Sequence, residues 1–132
     1  MDLIAFMKKY SDEIGGQYTD YNESVSVIII PLSGGRFQTV IGSKKQNELY
    51  NRQMITFTSK VCAYQPSIDL AMLLEQATYF NYCRFVIKEG YVQVEAISPV
   101  ASVSEDGIKE MLQEVANLAD QYEMKLTGAD IN

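Results

Sequence analysis

The chain has 132 residues, 47% of them hydrophobic and 21% charged; this is the size and composition of one globular domain and argues against disorder along most of its length. Its formal charge is −6, from 17 acidic and 11 basic side chains, so its overall field repels polyphosphate and nucleic acid is not expected as a partner. Histidine is absent, which removes Ser-His-Asp and Cys-His catalysis together with the commonest general base.

At the N-terminus, Leu3, Phe6, Met7, Tyr10 and Ile14 fall at helical spacing with Asp2, Lys8, Lys9, Asp12 and Glu13 opposite, which predicts an amphipathic helix ended by Gly15-Gly16. The acid precedes the apolar residues and the lysines follow them, the reverse of a secretory signal. A polar stretch then leads to Ser24 to Leu32, rich in Val and Ile, a Gly34-Gly35 turn and an extended segment from Arg36 to Gly42. Together these predict a β-hairpin. Ser43 to Asn47 reads as a turn. Tyr50 to Cys62 alternates, with Met54, Thr56, Thr58 and Lys60 opposite Ile55, Phe57, Ser59 and Val61, and predicts a third strand.

Pro66-Ser67 opens the next helix, in which Leu70, Leu73, Leu74 and Ala77 form a stripe that Ile68 and Met72 widen. A helix apolar nearly all round needs a cover on two sides, from its own sheet or from a second subunit. Tyr82 to Lys88, the turn Glu89-Gly90 and Tyr91 to Ile97 predict a second hairpin. Ser102 to Glu105 fits a capping box, with Ser104 as the alternative cap, for a last helix carrying Ile108, Met111, Leu112, Val115, Leu118, Ala119 and Tyr122. Thr127 to Asn132 reads as a frayed tail.

The predicted fold is one α+β domain spanning residues 1–132, an antiparallel five-stranded sheet with helices packed on one face in the order α-βββ-α-ββ-α. The apolar runs Val27 to Leu32 and Leu70 to Leu74 are far shorter than the roughly 20 residues that span a bilayer, so no membrane association is expected. Cys62 and Cys83, the only cysteines, sit in apolar strand-like stretches and read as buried thiols in a reducing, cytoplasmic setting. Without histidine or a CxxC pair, neither a metal nor another cofactor is expected.

Carboxylate pairs are the remaining catalytic candidates: Asp12-Glu13, Glu105-Asp106, and Asp120 with Glu123. Each falls on a predicted polar helix face or a helix start, where solvation or dipole compensation explains it. Gly34-Gly35 lacks the GxxxxGK[ST] pattern of a phosphate loop and lies between strands. The basic residues Arg36, Lys44, Lys45 and Arg52 fall short of a Lys/Arg-rich run. What survives is surface suited to association: Leu70, Met72, Leu73, Tyr79, Tyr82 and Phe85 are the expected partner-binding or dimer-interface residues, with a homodimer as the simplest closure.

From Leu73 to Leu126 the chain has a leucine-bearing helix, Asn81 before a strand, the aromatic-aliphatic strand Phe85-Val86-Ile87, a turn, a valine strand and a closing helix. In this it resembles class I type III secretion chaperones and the related YbjN-like bacterial proteins, whose element order it shares. The resemblance implies a small, acidic, cytoplasmic homodimer of bacterial type that holds an extended segment of a partner protein, with no catalytic site. From a different class, the aromatic residues Tyr79, Tyr82, Phe85 and Tyr91 suggest a small-molecule sensor with a pocket between sheet and helices.

Overall fold

A computed structural model of the chain describes residues 2–128. Three helices, α1 (Leu3–Ile14), α2 (Leu70–Ala77) and α3 (Glu105–Thr127), accompany six strands: β1 (Gln17–Asp20), β2 (Val25–Pro31), β3 (Phe37–Asn47), β4 (Arg52–Ala63), β5 (Cys83–Lys88) and β6 (Tyr91–Pro99). They form one antiparallel sheet in the order β1-β2-β3-β4-β6-β5. The five-stranded, α-βββ-α-ββ-α expectation is therefore corrected to six strands, with four strands before α2.

The added strand is β1, taken from the polar stretch after the first helix. Gln17-Tyr18-Thr19-Asp20 carries no run of branched apolar residues because it is a solvated edge; it forms because β2 supplies a continuous template, from Gln17 opposite Ile29 to Asp20 opposite Ser26. Its entry is tight. A Cβ on Gly16 would lie 2.4 Å from the Ile29 carbonyl oxygen, so only glycine lets the chain pass from α1 into the sheet. A second boundary also moves: Ser43 to Asn47, read as a turn, belongs to β3, because the hairpin continues outward through Lys44 opposite Ile55 and Gln46 opposite Gln53.

Period-two alternation sends Ile28, Ile30, Val40, Ile55, Phe57, Val94 and Ala96 to one face, where α1 and α3 cover them. Leu3, Phe6, Met7 and Tyr10 of α1 and Ile108, Met111, Leu112, Val115, Ala119 and Tyr122 of α3 complete this core. Ser104, rather than Ser102, caps α3 by accepting from Gly107 N–H, while Val100–Ser102 forms a separate 3₁₀ turn. Gly128 closes the helix, and the rest of the expected tail, 129–132, lies outside the described residues.

Two side chains expected on the polar face of α3 are buried instead. Asp120 is 5% exposed and receives two hydrogen bonds from Arg36 Nε, at 3.0 and 3.2 Å, and Glu123 is fully buried. Asp120 thereby pins the turn of the β2–β3 hairpin to α3 at a separation of 84 residues in sequence.

Among the described residues, the opposite face of the sheet carries no helix. Among the described residues, no helix is long and apolar enough to cross a membrane.

Candidate functional site

The candidate site lies where α2 meets β5, the strand at one margin of the sheet. Asp69, not Ser67, caps α2: its carboxylate accepts from Met72 N–H at 3.0 Å. The helix has eight residues and buries a single one, Leu73, at 1% exposure; Met72 and Ile68 are half-buried against the core. Leu70 and Leu74 stay outside, the latter 66% exposed. Between this ridge and the sheet runs an apolar groove of about 220 Å³, lined by Leu70, Leu73, Leu74, Phe85, Ile87 and Val92.

The groove borders an open strand edge. Glu89 and Gly90 both have positive φ (54° and 81°), the geometry of a two-residue hairpin turn closed by the pair Lys88 and Tyr91. Hydrogen-bonded pairs then alternate along the ladder as Lys88–Tyr91, Val86–Gln93 and Arg84–Glu95. The backbone N–H and C=O groups of Phe85 and Ile87 consequently point away from β6, toward the margin.

At its start the same edge is closed. The Glu114 carboxylate accepts from the backbone N–H groups of Asn81 (3.0 Å), Tyr82 (2.7 Å) and Cys83 (2.9 Å). Burial alone raises the Glu114 pKa, but these bonds and one from the Cys83 thiol favour the charged form and hold it below the usual carboxylate range. Burial, reinforced by Glu114, pushes the Cys83 thiol up, so it is an inert packing group. One turn earlier on α3, Glu110 accepts the Tyr82 hydroxyl.

The six residues expected at the interface fall into three situations. Leu70 and Tyr79 are exposed, Tyr79 at 87% just beyond the end of α2. Tyr82 is 41% exposed but tied to Glu110. Leu73, Met72 and Phe85 face inward, Phe85 packing edge-on to Tyr122 and Phe80 with ring centroids 4.8 and 5.5 Å apart. Leu74 and Ile87, absent from that set, are the exposed side chains that complete the groove; the alternation of Phe85 and Ile87 on one face was the available signal. The pocket of Tyr79, Tyr82, Phe85 and Tyr91 does not assemble, because Tyr91 lies on the helix-free face, beneath Lys60 Nζ at 4.2 Å.

The carboxylate pairs do not converge either. Glu105 and Asp106 occupy the first turn of α3 and Asp120 is engaged by Arg36. Among the described residues, no group of three or more Cys, Asp or Glu side chains is arranged to hold a metal ion.

No family model matches the chain, and no curated protein matches it. Among solved structures it is similar to a chain of the ExsC-ExsE complex, with a TM-score of 0.52, 15% sequence identity, and 93% of this chain and 95% of that one covered. At that identity the likeness shows the fold alone, and nothing in it points to YbjN-like proteins in particular.

Proposed function

We propose that this chain is a non-enzymatic, chaperone-like protein-binding module that holds an extended segment of a partner protein along the β5 edge. The observation that carries the proposal is the pairing of unlike features at one place. Phe85 and Ile87 offer free backbone groups, and an apolar groove with exposed Leu70 and Leu74 lies directly beside them. A strand added there gains ladder hydrogen bonds from the backbone and places alternate side chains against α2. The likeness to a chain crystallised within a two-protein complex supports the same use, as does the resemblance of residues 73–126 to secretion chaperones.

A second copy of the chain is the competing occupant, since two β5 edges can pair antiparallel about a two-fold axis. The free, buried state of Cys62 and Cys83 fits a reducing compartment such as the cytoplasm.

Size exclusion with light scattering on the natively purified protein, repeated on Leu74→Asp, tests the proposal. It predicts a defined complex with a partner protein that Leu74→Asp abolishes while the chain stays folded. A complex that survives Leu74→Asp contradicts it, and a dimer lost in the variant assigns the strip to self-association.

A further inference from the structure

The helix-free face of the sheet is basic, although the chain as a whole is acidic. Strand register places Lys45, Arg52, Lys60, Arg84 and Lys88 on this face. Among the described residues, the one strand carboxylate there is Glu95, and Arg84 already occupies it at 2.7 Å. Among the described residues, no ion pair reaches Lys45, Arg52, Lys60 or Lys88. The acids lie mainly on the helical side, as with Asp12 and Glu13 of α1 and Glu105, Asp106 and Glu110 of α3.

Between those cations the face is apolar and hydroxylic. Val27, Ile29, Thr39, Thr56 and Thr58 are half-buried, and Ile41 and Ile97 are each 40% exposed. Sheet twist curves the surface into a trough of about 550 Å³ that runs across β3 and β4 to Lys60 and Lys88. An uncovered sheet face of this kind is commonly polar on every second residue. Here it carries branched side chains with positive charge at one side and one end.

We propose that this face docks an acidic, extended protein segment in which Asp or Glu alternates with small or branched apolar residues. Charge complementarity fixes the choice. The trough takes the apolar side chains, and Lys60 and Lys88, which no ion pair engages among the described residues, meet the carboxylates and outnumber Glu89, the acid that shares the trough lining. A second copy of this chain fits less well, because its acids lie on the helical side and a face-to-back contact between copies is heterologous, giving a ring or an open filament rather than a two-fold dimer. The proposal rests on the reading of the chain as a protein-binding module but uses the side of the sheet opposite the α2 groove.

The test uses short fluorescein-labelled peptides of alternating Val or Thr with Glu, and matched peptides with Lys or Gln in place of Glu, followed by anisotropy. The acidic peptide is expected to bind roughly tenfold more tightly than the Gln peptide and to weaken as salt rises. Lys60→Glu/Lys88→Glu should erase that preference, while Leu74→Asp, which disables the α2 groove, should keep it. The two sites therefore fail separately. No binding of the acidic peptide, equal binding of all three, or a preference that survives the charge reversal overturns the proposal. Tighter binding of a single-stranded RNA oligonucleotide than of the acidic peptide overturns it in favour of phosphate recognition. Circular dichroism on each variant confirms that the fold is kept, and Lys88→Gln alone, which leaves Lys60 in place over Tyr91, should weaken the acidic peptide to a smaller degree.

Discussion

The carboxylate of Glu114 sits 2.9 Å from the backbone nitrogen of Cys83 and takes the N–H groups of the two preceding residues as well. One side chain of α3 thus satisfies the backbone where the chain enters β5 and leaves Phe85 and Ile87 as the open part of the margin. Replacing Glu114 by Ala strands three donors. Hydrogen bonds to charged groups contribute about 1.5–3 kcal/mol, and partial solvation of this site places the expected loss near the lower figure. Chemical denaturation reads it, and amide exchange across 81–83 should speed up by more than exchange across β4.

The same carboxylate predicts a pH dependence. Its folded pKa lies below the unfolded value, so its contribution is fully present above the unfolded carboxylate pKa of about 4.3 and is lost as pH falls through the folded value. Wild type should therefore lose more stability than Glu114→Gln as pH is lowered from neutrality through about 4. Parallel curves for the two proteins would contradict the assignment.

Arg36 and Asp120 should respond unequally to truncation. The Asp120 side chain is 8% exposed and that of Arg36 is 39% exposed. Arg36→Ala leaves a nearly buried carboxylate without its partner, whereas Asp120→Ala leaves a guanidinium that reaches water. The first is expected to cost about 2–3 kcal/mol and the second about 1 kcal/mol, with the double variant costing less than the sum.

On α2 the neighbours Leu73 and Leu74 separate folding from binding. Leu73→Ala empties a core site that is 1% exposed and should cost about 3 kcal/mol. Leu74→Ala, at a position 66% exposed, should stay within about 0.5 kcal/mol of wild type, while Leu74→Asp removes partner binding.

Gly16→Ala tests the entry into β1. The added methyl meets the Ile29 carbonyl oxygen rather than a movable side chain, so the edge strand must shift, at about 1–3 kcal/mol. Exchange should quicken at Tyr18 and Thr19 while the amides of β4 keep their protection.

The parts of the fold that depend on strong periodicity were legible in the sequence. Leu3, Phe6, Met7 and Tyr10, and the α3 run from Ile108 to Tyr122, face the core as spacing demands, and Ile55, Phe57, Ser59 and Val61 are the buried half of β4. β1 was not legible, because a four-residue solvated edge is specified by its partner strand and by Gly16 more than by its own side chains. The burial of Asp120 and Glu123 was hidden for a related reason: a carboxylate on a helix reads as solvated unless its distant partner, Arg36 in the case of Asp120, is known. At the candidate site, the apolar excess of α2 was visible. Which leucine stays outside was not, since that depends on how α2 is set against β5 and on its Asp69 cap. The basic character of the helix-free face was equally hidden, because only strand register shows that Lys45, Lys60 and Lys88 share one face and that Lys60 and Lys88 share one end of it.

The central claim, that the β5 edge beside α2 receives an extended partner segment, is tested most directly by hydrogen exchange at the Phe85 and Ile87 amides, with and without the partner protein bound. Fast exchange in the dilute chain and strong protection in the complex, lost together in Leu74→Asp, is the predicted result. Exchange at those two amides that is unchanged by partner binding would contradict the account.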